Sequence, residues 1–383
     1  MHNLIFERKF QKMKRIFLIA AALIFSLNLF AQNFFREDFD KKKQYIILTN
    51  PTVWNIKTIN YLIENNLLKI KTKKVNFAGV YFEDQKYDFS QSAHYLDTAN
   101  LKGFHLHEVR GKLDAGNLFA ENILTSELKM IFENSAGIFF FGGPDIPPRV
   151  YNEENTRSIV TDPERHYFET TFLFHLLGSS RNEQFEPFLE GNPDYFVTGF
   201  CLGMQTMNVA TGGTMIQDIP AEIFGAENPE QVVKTRKPNM HCNYWNRISE
   251  DSNLMGINLH AIRFTEHPFF GENVKVNKFS EPLIYSSHHQ AIEKLGKGLE
   301  ITALAPDGEI IEAVAHSRFP HVFAVQFHPE VPALYEDMEL WKFHPSDAPA
   351  SYHQLLGKEG IEFHRQYWKF ISKALKNSIK AKN

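Results

Sequence analysis

The sequence predicts an α/β protein with a doubly wound, mostly parallel sheet flanked by helices. Three observations carry that expectation. Short, continuous apolar runs bounded by turn residues alternate with helix-compatible stretches, the pattern of strands buried on both faces. The run Tyr195-Phe196-Val197-Thr198 leads through Gly199-Phe200-Cys201-Leu202-Gly203 into a helix-compatible stretch over 204–210, a strand–turn–helix joint. Near the other end, 321–327 reads as a buried strand that stops at His328-Pro329-Glu330.

Taken in order, residues 1–31 stand outside the fold. Arg8, Lys9, Lys12, Lys14 and Arg15 form a basic head, 16–30 is apolar apart from Ser26 and Asn28, and Ala31 offers a small residue for cleavage before Gln32. This is the pattern of a secretory signal peptide, with Met13 as an alternative start, and it places the mature chain in the periplasm or outside the cell. A membrane anchor is the competing reading, but a span needs about 20 apolar residues and this run is shorter. Leu29, three residues before the cut, is larger than the usual residue there. No cysteine follows the run, so nothing supports a lipid anchor.

Residues 32–383 read as one domain. Strands are expected over 45–49, 77–82 and 137–141, with a helix over 53–68 after the first. More chain is present than such a domain needs, and the excess falls at 178–194, at 224–282 and in a C-terminal extension, 332–383. The extension ends in an amphipathic helix carrying Tyr367, Trp368, Phe370 and Ile371, expected to pack on the core. Neither internal repeats of 20–50 residues nor low-complexity tracts occur.

With 43% hydrophobic and 22% charged residues, the chain has the composition of a soluble globular protein. Without 1–31, 36 basic residues face 44 acidic ones, a net charge of about −8, which argues against nucleic acid or anionic lipid as partner. Association of identical chains stays open. Seventeen histidines invite a search for a metal site. His105-x-His107 is the closest local pair and no His-Glu-x-x-His occurs, so no metal ligand set is expected, and neither a phosphate loop nor a cofactor.

Cys201 is the candidate nucleophile. A sharp strand-to-helix turn lifts a side chain to the top of a parallel sheet, and small neighbours permit the tight backbone. A helix N-terminus, with its dipole and unpaired N–H groups, favours the reactive thiolate form of a cysteine. Alone, Gly-x-Cys-x-Gly is a weak signal, because buried cysteines between glycines are common core fillers. His328 changes the balance, because a histidine at a strand end can reach a nucleophile on the neighbouring strand while Glu330 orients its ring. Cys242 is read as a spare thiol, since a disulfide to Cys201 would silence the turn.

The Gly199–Gly203 turn, the strand end Gln326-Phe327-His328-Pro329-Glu330 and the run Ser286-Ser287-His288-His289-Gln290-Ala291-Ile292 resemble the class I glutamine amidotransferase family. Within it they are most similar to the γ-glutamyl hydrolase branch, which includes γ-glutamyl-GABA hydrolases. Phe141-Gly142-Gly143-Pro144-Asp145-Ile146-Pro147-Pro148, Tyr151-Asn152-Glu153-Glu154, Asp162-Pro163-Glu164-Arg165 with Phe168-Glu169, Met207–Thr214 and Gln217-Asp218-Ile219 fit the same branch. The resemblance runs from about 44 to about 330, in the expected order. It implies a flavodoxin-like three-layer sandwich and a Cys201–His328–Glu330 triad. It further implies oxyanion donors at Gly143 and Leu202, a γ-glutamyl-holding role for Gln205, and a second cleft histidine at His288, with His289 structural. Leu202 stands where many relatives carry arginine, Tyr285 where asparagine is usual and Asn152 where glycine is usual, which leaves the substrate open.

The first functional reading is thus a cysteine hydrolase that cleaves γ-glutamyl amides or peptides through a thioester. A glutaminase subunit delivering ammonia is the second, opposed by the lack of a visible acceptor domain. A catalytically silent binding protein of the same fold is the third, opposed by intact Cys201, His328 and Glu330.

Overall fold

The computed structural model describes residues 33–37, 39–71 and 74–382. The signal-peptide reading therefore lies outside the described residues. Among the described residues thirteen strands are formed: β1 (Gln44–Thr49), β2 (Val75–Phe82), β3 (Phe104–Val109), β4 (Gly137–Phe140), β5 (Phe196–Phe200), β6 (Met215–Ile216), β7 (Asn258–Ala261), β8 (Arg263–Phe264), β9 (Leu283–Ser286), β10 (Ala291–Ile292), β11 (Leu299–Leu304), β12 (Ile311–His316) and β13 (Val322–Val325). The main sheet runs β3-β2-β1-β4-β5-β13-β12-β11-β8. Its first six strands are parallel, and β12, β11 and β8 extend it in antiparallel fashion. Without the edge strand β3, the parallel part has the flavodoxin-like order, and the order reverses between β1 and β4.

The sheet is apolar on both faces because alternate residues of each strand point to opposite sides. Ile46, Leu48, Phe139, Phe196, Phe323 and Val325 belong to one core, while Tyr45, Ile47, Ile138, Phe140, Val197 and Ala324 belong to the other. The main helices are α1 (Val53–Glu64), α2 (Ser90–Thr98), α3 (Thr125–Glu133), α4 (Pro163–Leu177), α5 (Leu202–Ala210) and α6 (Tyr352–Ala381). Of these, α3, α4 and α5 cover the second core, and α1 and α6 cover the first. Asp162 caps α4 by accepting from the Arg165 amide, with Pro163 at the first helical position, where its missing N–H costs nothing.

Helix α6 packs on the core: Tyr367, Trp368 and Ile371 are fully buried, and the Trp368 ring lies 5.9 Å from that of Phe200 on β5. Among the described residues no helix is long and apolar enough to cross a membrane. The first helix stops at Glu64, shorter than 53–68, because the chain turns at Asn66 with φ 55°. Most of 224–282 is irregular; it adds β7, which pairs with β9 in a two-stranded sheet, and β8 at the main sheet's edge.

Candidate active site

The register of three neighbouring strands assembles the site. Gly199 of β5 lies between Phe140 of β4 and Ala324 of β13, so all three strands end side by side. The segments leaving these ends meet at the sheet's C-terminal edge, where open α/β sheets hold ligands. β4 delivers Gly142 and Gly143, β5 delivers Cys201, and β13 delivers His328 and Glu330.

Cys201 forms the whole turn between β5 and α5, with φ 52° and ψ −108°, a conformation that side-chain-bearing residues seldom adopt. Its backbone is held at both ends. The Cys201 amide donates to Val325 O at 2.9 Å, and its carbonyl accepts from the amides of Met204 and Gln205 at 3.0 and 3.2 Å. The turn is this tight only because its neighbours lack side chains. A Cβ on Gly199 would lie 2.4 Å from the Gly203 carbonyl carbon, and one on Gly203 would lie 2.4 Å from Phe140 O.

His328 donates from Nδ1 to Glu330 Oε1 at 2.7 Å, and Cys201 stands close enough to act electrostatically on its ring. Burial opposes a charged imidazolium here, but the charges of Glu330 and Cys201 and the hydrogen bond to Glu330 outweigh it. The ring titrates well above its ordinary value. The peptide between the two residues is clamped as well: Pro329 O accepts from Trp368 Nε1 at 2.9 Å and from the Tyr335 hydroxyl. The C-terminal extension thus braces the histidine–glutamate pair.

The Gly142-Gly143 loop is set from below by a buried ion pair on α4. Arg165 Nε meets Glu169 Oε1 at 3.0 Å, and Arg165 Nη2 donates to Phe141 O and Gly142 O at 2.9 and 3.1 Å. In a trans peptide the carbonyl and the following N–H point opposite ways. Pinning Gly142 O to Arg165 therefore turns the Gly143 N–H away from the ion pair. The Leu202 N–H, first in α5, has no partner within its helix. The oppositely charged i,i+4 pair Arg165 and Glu169, set in a helix rich in aromatic residues, is the sequence signal for this brace.

Other expected site residues lie elsewhere. Gln205 is buried and donates to Gln290 O and Gln326 Oε1 at 3.2 and 3.3 Å, which spends its amide hydrogens on the protein interior. His288, expected at the cleft, turns inward: its side chain is 2% exposed and its Nε2 lies 3.8 Å from the buried Glu312. His289 instead faces the loop after β4, with Nε2 at 3.1 and 3.0 Å from the Asp145 carboxylate and Nδ1 3.7 Å from Asp218. Burial lowers its pKa, yet both carboxylates override this and push it up to about 9. Asn152 adopts the left-handed conformation, φ 64°, ψ 37°, which explains glycine as its usual counterpart. Cys242 is buried and forms no disulfide, and burial pushes its thiol pKa up. Both members of the local pair His105-x-His107 are committed elsewhere, to Asn76 and to Glu127.

A cleft of about 640 Å³ opens beside His328 and Glu330. Gly142, Ser287 and Tyr285 form its inner wall, and Trp54, Met338, Trp341 and Tyr352 its apolar outer wall. Spacing gives no hint of this outer wall, because its members come from α1 and from separate parts of the C-terminal extension.

The model of the Peptidase C26 family matches residues 121–330, more than half of the chain, and spans every group described at the three strand ends. The chain belongs to the Peptidase C26 family. A putative glutamine amidotransferase-like protein of Lactococcus lactis subsp. lactis is 30% identical over 194 residues, covering 50% of this chain and 65% of that one. A protein of Rickettsia prowazekii with the same description is 29% identical over 225 residues, covering 53% and 73%. The chain thus spans just under two thirds of the first relative's length. Among solved structures, a putative GMP synthase component of Thermoplasma acidophilum aligns with a TM-score of 0.37 and 12% identity, over 79% of this chain and 95% of that one. As a Peptidase C26 member the chain has relatives described as glutamine amidotransferase-like, and the family match takes in both the Cys201 turn and the His-Pro-Glu strand end.

Proposed function

We propose that this Peptidase C26 protein is an exported amidohydrolase that cleaves γ-glutamyl amide bonds with Cys201, His328 and Glu330 as a triad. The observation that carries the reading is the part-buried His328 ring, bonded to Glu330 at 2.7 Å on one side and facing Cys201 on the other. In this mechanism the Cys201 thiolate attacks the γ-carbonyl, and the N–H groups of Gly143 and Leu202 receive the oxyanion, each worth about 2.7–4 kcal/mol in a preorganised site. His328 then gives its proton to the leaving amine, and water releases glutamate from the thioester through the same histidine.

The proton donor sits on the leaving-group side, so the cleft beside His328 takes the amine. Its wall of Trp54, Tyr285, Met338, Trp341 and Tyr352 favours an apolar or aromatic amine over ammonia. The descriptions of the relatives favour a second reading, with glutamine itself as the donor. The basic-then-apolar 1–31 segment supports export to the periplasm or beyond.

Both substrate readings are tested by incubating the purified chain with glutamine and a panel of γ-glutamyl amides that differ in the size of the amine. Faster turnover of arylalkylamides than of glutamine is expected, with one γ-glutamyl group trapped on the Cys201 peptide after acid quench. Glutamine as the best substrate selects the second reading, and full activity in His328→Ala removes both.

A further inference from the structure

We propose that His241, His260, His288 and Glu312 bind one divalent transition-metal ion, Zn²⁺ by preference, in a closed structural site behind the cleft wall. The four residues come from four places: an irregular segment before β7, β7 itself, the turn after β9, and β12. One ligand atom from each lies within 4.8 Å of all the others. Their side chains are between 0 and 2% exposed.

Most polar atoms of this cluster lack a well-formed hydrogen bond. Both ring nitrogens of His241, Nε2 of His260 and His288, and both carboxylate oxygens of Glu312 are buried and make no hydrogen bond of good geometry among the described residues; their close polar neighbours are one another. Unpaired buried polar groups are costly, and a buried carboxylate more so. His260 and His288 are also pre-set as ligands. Each has Nδ1 at 2.8 Å from a backbone carbonyl, Ala261 O and Gln290 O respectively. A carbonyl only accepts, so Nδ1 carries the proton in both rings and the Nε2 lone pair points inward. This is the arrangement of outer hydrogen bonds that orients metal-bound imidazoles.

The distances from Glu312 to the three rings have the size of a tetrahedral site. Metal–ligand bonds of about 2.0–2.1 Å make neighbouring ligand atoms about 3.3–3.4 Å apart. Glu312 Oε1 lies 3.2 Å from His241 Nδ1, 3.5 Å from His260 Nε2 and 3.8 Å from His288 Nε2. Three imidazoles and one carboxylate suit Zn²⁺ and its first-row neighbours, and offer too few oxygens for Ca²⁺ or Mg²⁺. All four positions are filled by protein and sealed from solvent, so the ion would fasten structure rather than activate water. It would join the 224–282 segment to β12 of the main sheet, beside the strand that carries His328. It would also hold the segment from Tyr285 to His288, whose Tyr285 carbonyl accepts the His328 amide at 3.0 Å.

The full chain, purified without chelators, is analysed for metal by mass spectrometry, then stripped with a chelator and reloaded with Zn²⁺ or Co²⁺. One equivalent of bound Zn²⁺, a fall in Tm on stripping that Zn²⁺ reverses, and the visible absorption of tetrahedral Co²⁺ are expected. Glu312→Gln and His260→Gln should weaken binding by more than the ~10–100-fold that loss of an outer partner costs, while Cys201→Ser keeps the full metal content. If those variants do not fold, the unmodified chain still decides. A folded chain that takes up no Zn²⁺ on dialysis, and whose Tm moves with neither Zn²⁺ nor chelator, overturns the proposal and leaves a proton-bridged cluster. The readouts are metal content and Tm, so this result stands apart from the amidohydrolase reading.

Discussion

Gly142→Ala is the sharpest test of whether the assembled strand ends are the working geometry. An alanine Cβ at this position would lie 2.6 Å from His328 Cε1, 3.5 Å from its Nδ1 and 3.6 Å from Cys201 Cβ. Carbon atoms in favourable contact sit about 3.5–4.0 Å apart, so the ring or the loop must retreat by about 1 Å. A displacement of that size in a catalytic constellation costs on the order of 10²-fold in rate, or about 2.7 kcal/mol of transition-state stabilisation. Backbone strain does not contribute, since Gly142 does not take a positive φ. We expect kcat/KM for a γ-glutamyl arylalkylamide to fall by that factor, with Tm nearly unchanged and the Cys201 thiol still alkylated. Gly271→Ala, whose Cβ would meet nothing within 4 Å, serves as the control and should keep full activity. A folded Gly142→Ala protein with the parent rate would refute the argument that His328 works from this position.

Two further outcomes rest on the same contacts. Iodoacetamide at neutral pH should label Cys201 ahead of Cys242, whose thiol burial holds in the protonated form; Cys201→Ser should abolish turnover and Cys242→Ser should keep most of it, and the reverse pattern would reassign the nucleophile. His289 has its pKa raised from 6.5 to about 9 by Asp145 and Asp218, so its stabilisation is complete below pH 6.5 and is lost as pH rises through about 9. Urea unfolding of His289→Asn should therefore show a loss of about 1–3 kcal/mol at pH 6 that shrinks towards pH 9, whereas parallel curves for the two proteins would remove His289 as the lock between loop and cleft.

The parts of the site that are legible in the sequence are those written in consecutive residues. A nucleophile turn needs glycine at fixed short offsets from the cysteine, and Gly199 and Gly203 meet backbone at 2.4 Å for that reason. His328 and Glu330 are two apart, so their pairing comes from a chain that bends once at Pro329. The antiparallel extension of the sheet lies beyond the expected strands, although the chain carries a signal for it. Half-polar runs at 299–304 and 311–316 flank Pro306-Asp307-Gly308, and Gly308 takes φ 84° at the turn. Pro-Asp-Gly between two such runs marks a hairpin by mechanism, because proline presets one angle and glycine supplies the other.

The pair His288-His289 shows where sequence reading stops. Neighbouring side chains leaving a strand tend to point to opposite sides, and here one histidine faces the loop after β4 and the other the interior. Which is which depends on parity, and parity is set by the β7–β9 register, in which Ser286 pairs with Asn258 and Ile284 with His260. That register puts His260 and His288 near one carboxylate and sends His289 to Asp145 and Asp218. A one-residue slip would exchange the two histidines and empty the cluster around Glu312. A search for ligands at short spacing cannot see such a site, since its four members are separated by 19, 28 and 24 positions along the chain. What selects them is the buried charge of Glu312: once β12 carries that carboxylate into the interior, the fold must bring compensating groups to it from wherever the chain allows.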